Sequence, residues 1–498
     1  MKTVVPAVGD VAVMRVPVGG YGACQVAGID KGAVTVYALA WESEGLPELW
    51  QLADAPPLIL DHHAHQAELA RISISGDQPP PPGWVWLGRL TAPTAVSGSS
   101  DSFAGWKWLP AQITAQRRWD HHLSAAAKQA YRAAATRGQV EVDFGAGPVT
   151  LGAATGRLDL TGAGHVSPPP AGPVRWPALD QLACCTSLTW SGPGRGLVAA
   201  LDGHPIVEDL TWTAAASSLD LRATGLTSLS VAGTIGVLQL PDTLTSLHLM
   251  AGARVEAVSA AGQGEWLTLT VTDDGGGGLP SGFDGLRDLR YVGRGTISAA
   301  PLRGLRQLES LWLAWRDAPG DLGDAAALSG LPRLAHLTLT DAYGLDADTL
   351  PDLPALTALT IAGLRRTVAA AVKARYRRMP IHLRITGAKN DTWLAANLTN
   401  PFRDWADDDP RGGAAACKAY AAAVRSIDAL PGDAPGRAAA AELILRNFVS
   451  QLNRIDQRYE LIDTLRREEA GDVFTGLAVR AGVSTDSADD WFDEWREF

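Results

Sequence analysis

Cysteine is scarce in this sequence, with four residues (Cys24, Cys184, Cys185 and Cys417) among 498. They are too few and too scattered for a disulfide framework, and adjacent Cys184 and Cys185 do not readily bridge each other; small buried roles are expected. Long apolar runs are missing too. No window holds eighteen uninterrupted apolar residues, which excludes a membrane-spanning helix. At the start, Pro6, Gly9 and Asp10 interrupt any apolar stretch of a secretion signal, so a cytoplasmic protein is expected. Positive charge is in deficit: 43 Lys and Arg face 54 Asp and Glu, a net charge of -11. That balance speaks against nucleic acid or an anionic membrane as partner, since either needs a basic face. Complete catalytic motifs are absent. Gly275-Gly276-Gly277-Gly278 has no Gly-Lys-Ser/Thr after it and reads as a turn, not a phosphate cradle. No cofactor is expected.

What the chain does have is leucine at a fixed interval. Leu308-x-x-Leu311-x-Leu313, Leu334-x-x-Leu337-x-Leu339 and Leu356-x-x-Leu359-x-Ile361 state the rule: short strands whose alternate residues point into one core. Similar segments centre on Leu210, Leu229, Leu247 and Leu289, with degenerate copies at Leu188-x-Trp190 and Leu267-x-Leu269. Taking 188, 210, 229, 247, 267, 289, 311, 337 and 359 as markers, successive copies lie 18 to 26 residues apart. In this interval and pattern the chain resembles leucine-rich repeat proteins over residues 176–388. It departs from them where the family usually closes its turns with Asn or Cys, since Arg316, Ala342 and Leu364 stand there. The resemblance implies an α/β solenoid whose strands form one parallel concave sheet.

Residues flanking the inward leucines would stand on that concave face. Small hydroxyl residues dominate it, studded by Trp266, Arg290, Trp312, His248 and His336, with Ser310 and Thr338 beside them. Aromatic and Arg anchors among small neighbours suit docking of a protein partner, and no nucleophile–base or carboxylate pair recurs there. The plainer alternative is that Thr and Ser merely fit a pleated strand. Arg365, Arg366, Lys373, Arg375, Arg377 and Arg378 form a basic set on an expected helix, read as a solvated face.

Residues 1–125 read as a β-rich domain. Val11–Val16 and Ala33–Ala38 are short apolar runs joined through Gly19-Gly20-Tyr21-Gly22. Gly9-Asp10, a strand, the Gly-Gly-Tyr-Gly turn and a second strand resemble a β-barrel-like immunity-protein family of bacterial polymorphic toxin systems. Trp84, Trp86, Trp106, Trp108 and Trp119 crowd the same region and suit a compact core. Two histidine groups, His62, His63 and His65, and His121 and His122, supply imidazoles that suit a transition metal. Neighbouring histidines on a strand point to opposite faces, so a solvated cluster competes with that reading. Pro93–Ser102 reads as a loop, and Leu123–Arg137 as a helix. Residues 126–175 read as a connection or cap. After 389 the chain turns helical, with one long helix from Ala438 to about Glu469 carrying the stripe Leu445, Phe448, Leu452, Ile455, Tyr459 and Ile462.

The expectation is therefore a multidomain α+β protein: β-rich N-terminal domain, repeat solenoid and helical C-terminal domain (389–498). Its expected work is non-enzymatic protein binding. The N-terminal resemblance implies an immunity protein that neutralises a cognate toxin. A general recognition scaffold and a metal-dependent enzyme using the histidine groups are the alternatives.

Overall fold

Eleven leucines in register form the spine of the computed structural model. Parallel strands place Leu158, Leu188, Leu210, Leu229, Leu247, Leu269, Leu289, Leu311, Leu337, Leu359 and Leu383 side by side across an eleven-stranded sheet. Their side chains face inward, and all but the two end leucines are essentially inaccessible. The structure describes residues 6–17, 20–30, 32–76, 78, 80–81, 83–93, 96, 102–162, 164, 166–275, 278–431 and 436–498. Most of the Pro93–Ser102 loop, with Pro79, Pro82, Gly19, Gly276 and Gly277, thus lies outside the described residues.

Two features of this sheet differ from the repeat reading. The copy marked at Leu267 takes its place in register through Leu269, one pleat further on, because Leu269 pairs with both Leu247 and Leu289. Leu267 is still buried, but just ahead of the strand. The sheet also extends beyond the expected copies at both ends, through Arg157–Asp159 and His382–Thr386. Arg157–Asp159 lies within the stretch read as a connection or cap, where the sequence marks Arg157–Thr161 as a capping or opening strand, ahead of the regular repeats expected from near Trp176.

The return segments build a second layer. Ala216–Asp220, Thr234–Gln239 and Arg254–Ser259 form a short parallel sheet, and Thr296–Ser298 pairs with Asp321–Gly323. Their inward Ile235, Leu238, Val258, Ile297 and Leu322 close the leucine core from behind. The tight spacing demands glycine where the chain leaves the sheet: Gly233 has φ +89°, and a Cβ there would meet the Ala214 carbonyl oxygen at 2.0 Å.

Ahead of this body, five antiparallel strands run in the order Arg71–Ser75, Ala33–Ala38, Tyr21–Asp30, Asp10–Arg15, Val85–Arg89. Both faces of that sheet are covered. One face packs Ala12, Met14, Val36 and Ile72 against Trp106, Leu109 and Ile113; the other buries Val11, Val13 and Tyr37. Helix α1 (Trp108–His122) supplies Leu109 and Ile113 to the first of these cores. Its far end sends Trp119 and Leu123 into the leucine core instead. One helix thus belongs to two cores.

The C-terminal helices Pro410–Asp428, Arg437–Tyr459, Thr464–Ala481 and Thr485–Trp495 pack around Phe402, Leu445, Phe448, Leu452 and Phe474. The single long helix expected there is two. Glu460 turns left-handed (φ +49°), and the Asp463 carboxylate then accepts the Arg466 N–H to start the next helix. The stripe from Leu445 to Ile455 is core. Arg403 ties this unit to the sheet through Asp341 at 2.6 Å. In the basic set, Arg365 pairs with Asp346, and Arg375 with Asp352 and the Leu350 carbonyl. All four cysteines are free and buried, and burial pushes their thiols up. Among the described residues no helix is long and apolar enough to cross a membrane.

Candidate functional site

Because the leucines point inward, the residues between them form rows on the opposite face of the sheet. The central row reads Thr189, Thr211, Ser230, His248, Thr270, Arg290, Trp312, Thr338, Thr360 and Arg384, each paired with the next across adjacent strands. A second row, two residues earlier, brings Asp288, Ser310, His336, Ala358 and His382 together. Ser310, Trp312, His336, Thr338, Arg290 and His248 therefore share one face, as the alternation requires.

Trp266 does not join the row. It precedes its strand, and the Arg15 guanidinium of the N-terminal sheet lies 5.0 Å from its ring centroid while also pairing with Glu265 at 2.7 Å. Alternation about Leu267 puts Trp266 on the face, but Leu267 is not the strand centre. The register set by Leu269 moves the tryptophan to the rim, where the chain's own N-terminal region covers it.

The N-terminal region overhangs the later half of the face and leaves a cleft of about 540 Å3. Its upper wall is Gln78, Pro81, Gly105, Trp106 and Lys107; its floor includes Ser310, His336, Thr338, Thr360, His382 and Arg384. Trp106 is buried in the N-terminal core and donates its indole N–H to the Gln78 carbonyl at 3.0 Å, which fixes the overhang. Lys107 reaches down to the Asp288 carboxylate. On the sheet face beside the cleft the Arg290 guanidinium lies 5.5 Å from the Trp312 ring centroid, and the Trp312 indole donates to Thr340 Oγ1 at 2.8 Å. His248 Nε2 meets Thr272 Oγ1 at 2.9 Å in the same manner.

The electrostatics of the cleft are uneven. Its carboxylates are covered and already paired: Asp288 with Lys107, and Glu309 with Arg287, which also holds Glu265 at 2.7 Å. Burial pushes the Glu309 carboxyl up despite Arg287. Two of its cations, Lys107 and His336, are shifted as well. Burial, and then Arg290, pulls Lys107 down; burial, and then Lys107, does the same to His336. Both shifts come first from burial, with repulsion from the neighbouring cation second. Sequence reasoning missed Lys107, His382 and Arg384. Lys107 is 181 residues from Asp288, and no local pattern brings the two together.

The histidine groups lie elsewhere. His62 is nearly inaccessible, with Nε2 2.9 Å from Gln112 Oε1 and Nδ1 3.0 Å from His63 Nδ1. Burial, and then the neighbouring His63, brings its pKa down to about 4. His63 packs against Trp119 and Tyr131, and its Nε2 faces Glu208 Oε1 at 3.4 Å. Buried Arg118 holds the same Glu208 oxygen at 2.8 Å and donates to the Pro205 carbonyl. Burial alone would raise Glu208, but His63 and Arg118 outweigh it and hold its carboxyl low. His121 stands 3.7 Å from Glu42, and His122 is exposed, so the second group does not converge with the first. Among the described residues no three His, Cys, Asp or Glu side chains gather as a metal site would require. These imidazoles instead line the seam between the N-terminal region, α1 and the sheet.

No family model and no curated protein matches the chain. Among solved structures, an internalin from Listeria monocytogenes is similar over 42% of this chain and 63% of its own length, at 16% identity and a TM-score of 0.24. The chain thus spans less than two thirds of that protein, and a likeness of this depth does not bear on function.

Proposed function

We propose that this chain is a leucine-rich repeat protein that binds a protein partner, without catalysis, on the later half of its parallel sheet. The observation that carries this reading is the unbroken register of the leucines. It turns the intervening residues into one continuous face, with Arg290 and Trp312 in the same row as Thr338, which lies on the floor of an open cleft. An aromatic ring held by a hydrogen bond and flanked by a guanidinium is a preorganised anchor, because little rotamer freedom remains to be lost on binding. The narrower reading is an immunity protein that neutralises a cognate toxin in the cytoplasm. It is supported by the Gly9-Asp10 start and the Gly19-Gly20-Tyr21-Gly22 sequence that carry the N-terminal resemblance.

Co-expression with a toxin encoded beside this gene is the direct test. Rescue of growth by the native chain, lost with the Trp312→Ala/Arg290→Ala double variant, is the expected result. Absence of rescue removes the immunity role. Binding that survives the double variant in folded protein moves the site off this face.

A further inference from the structure

The cleft gathers positive groups in a protein that is negative overall, and it does so on two separate parts of the chain. Lys107 stands at the start of α1 on the upper wall, 61% exposed, while the Asp288 that it covers is only 13% exposed. Arg384 on the floor and Arg290 on the sheet face beside the cleft are exposed, and no carboxylate pairs with either among the described residues. Exposed His382 and half-buried His336 sit in the neighbouring row. The acids of the region lie below this surface, engaged by Lys107, Arg287 and Arg15. What this region presents to solvent is therefore more positive than negative, which favours an incoming anion.

We propose that this cleft binds an extended acidic polypeptide segment, laid across the strands from Arg290 to Arg384 with Lys107 closing over it. The proposal rests on the protein-binding reading above and names the chemistry of the partner. Arg290 and Arg384 are separated in the row by Trp312, Thr338 and Thr360. Four strand-to-strand steps of about 4.8 Å place the two guanidinium stems roughly 19 Å apart. An extended chain of about six residues, at roughly 3.3 Å each, covers that distance. Carboxylates near the two ends of such a segment reach the arginines, and its middle lies over Trp312 and the Thr338 and Thr360 hydroxyls. A nucleic acid shares the negative charge, but a net charge of -11 over the rest of the molecule repels a long polyanion while tolerating a short acidic stretch.

Fluorescence anisotropy on the full chain tests this with three labelled probes. These are an alternating Glu-Gly peptide of about eight residues, its Gln-Gly counterpart, and a single-stranded oligothymidine of similar length. The Glu peptide should bind about tenfold or more tightly than the Gln peptide, and more weakly as salt rises. Arg290→Gln/Arg384→Gln should weaken it by about tenfold, while Arg222→Gln, paired with Asp220 on the return layer, leaves it unchanged. Binding should also tighten as pH falls, because a carboxylate beside His336 restores the affinity for protons that burial and Lys107 remove. Equal binding of the Glu and Gln peptides overturns the proposal, as does no binding of the Glu peptide up to about 1 mM. Preference for the oligothymidine assigns the cleft to nucleic acid instead. If a protein partner still binds the Arg290→Gln/Arg384→Gln variant at full strength, the acidic segment fails while the protein-binding reading stands.

Discussion

The two halves of the parallel sheet share one core and differ in what they carry on the same outer face. From Thr189 to Ser230 the central row is threonine and serine; from Arg290 to Arg384 it carries a guanidinium at each end and an anchored tryptophan. Beneath both, the same leucine ladder runs without a change of residue type. Inward positions answer to packing, which asks for one shape repeated. Outward positions are free of that demand, so a cluster of charge and aromatic surface there has to be explained by what it meets.

The contrast can be broken first at the core. Leu229→Ala and Leu311→Ala should each destabilise the protein by roughly 3–5 kcal/mol, because both delete a fully buried leucine from the same ladder. Chemical denaturation in which only one of them is costly would show that the halves fold as separate units. The seam at the N-terminal region comes next. His62 is held neutral with a folded pKa of about 4 against 6.5 when unfolded. A depressed histidine contributes stability above pH 6.5, and that contribution is lost as acid protonates the unfolded chain and then the folded one. About 3 kcal/mol from this site should disappear between pH 6.5 and 4. Glu208, also held low, acts in the same direction below its ordinary range. A stability profile that is flat over that window, or one unaffected by His62→Gln, contradicts the assignment.

Smaller effects sharpen the comparison of the faces themselves. Trp312→Ala should weaken partner binding by about 2 kcal/mol while unfolding changes far less. Thr340→Val removes only the acceptor that fixes the indole, and should cost about 1 kcal/mol in binding. Thr211→Ala, in the hydroxyl half, should stay within about 0.5 kcal/mol on both measures. Titration calorimetry beside denaturation separates the three. A Thr211→Ala effect as large as that of Trp312→Ala would erase the distinction.

The ladder was legible because alternation is a local property: Leu311 and Leu337 declare their strands within a few residues of sequence. Register was less so. Leu267 and Leu269 are both buried leucines of the right parity, and only pairing with Leu247 and Leu289 selects Leu269, which carries Trp266 out to the rim. The terminal strands around Leu158 and Leu383 are short and half-solvated, so their apolar signal is thin. The second layer escaped notice because Ala216–Asp220 and Arg254–Ser259 carry small and charged residues on their outer side. The break at Glu460 hid inside a continuous apolar period, since a left-handed residue leaves the spacing on either side intact. The cleft had no sequence signature, being closed by Lys107 and Asp288 from distant parts of the chain.

Helix α1 gives the cleft a mechanical character. Leu109 and Ile113 anchor one end in the antiparallel sheet, and Trp119 and Leu123 anchor the other among the leucines. Roof and floor are thus joined by a strut about four turns long, seated in both, so relative movement of the two would have to unpack one core or bend the rod. The opening behaves as a fixed gauge: a guest must already match its width, and whatever ordering association demands falls on the guest.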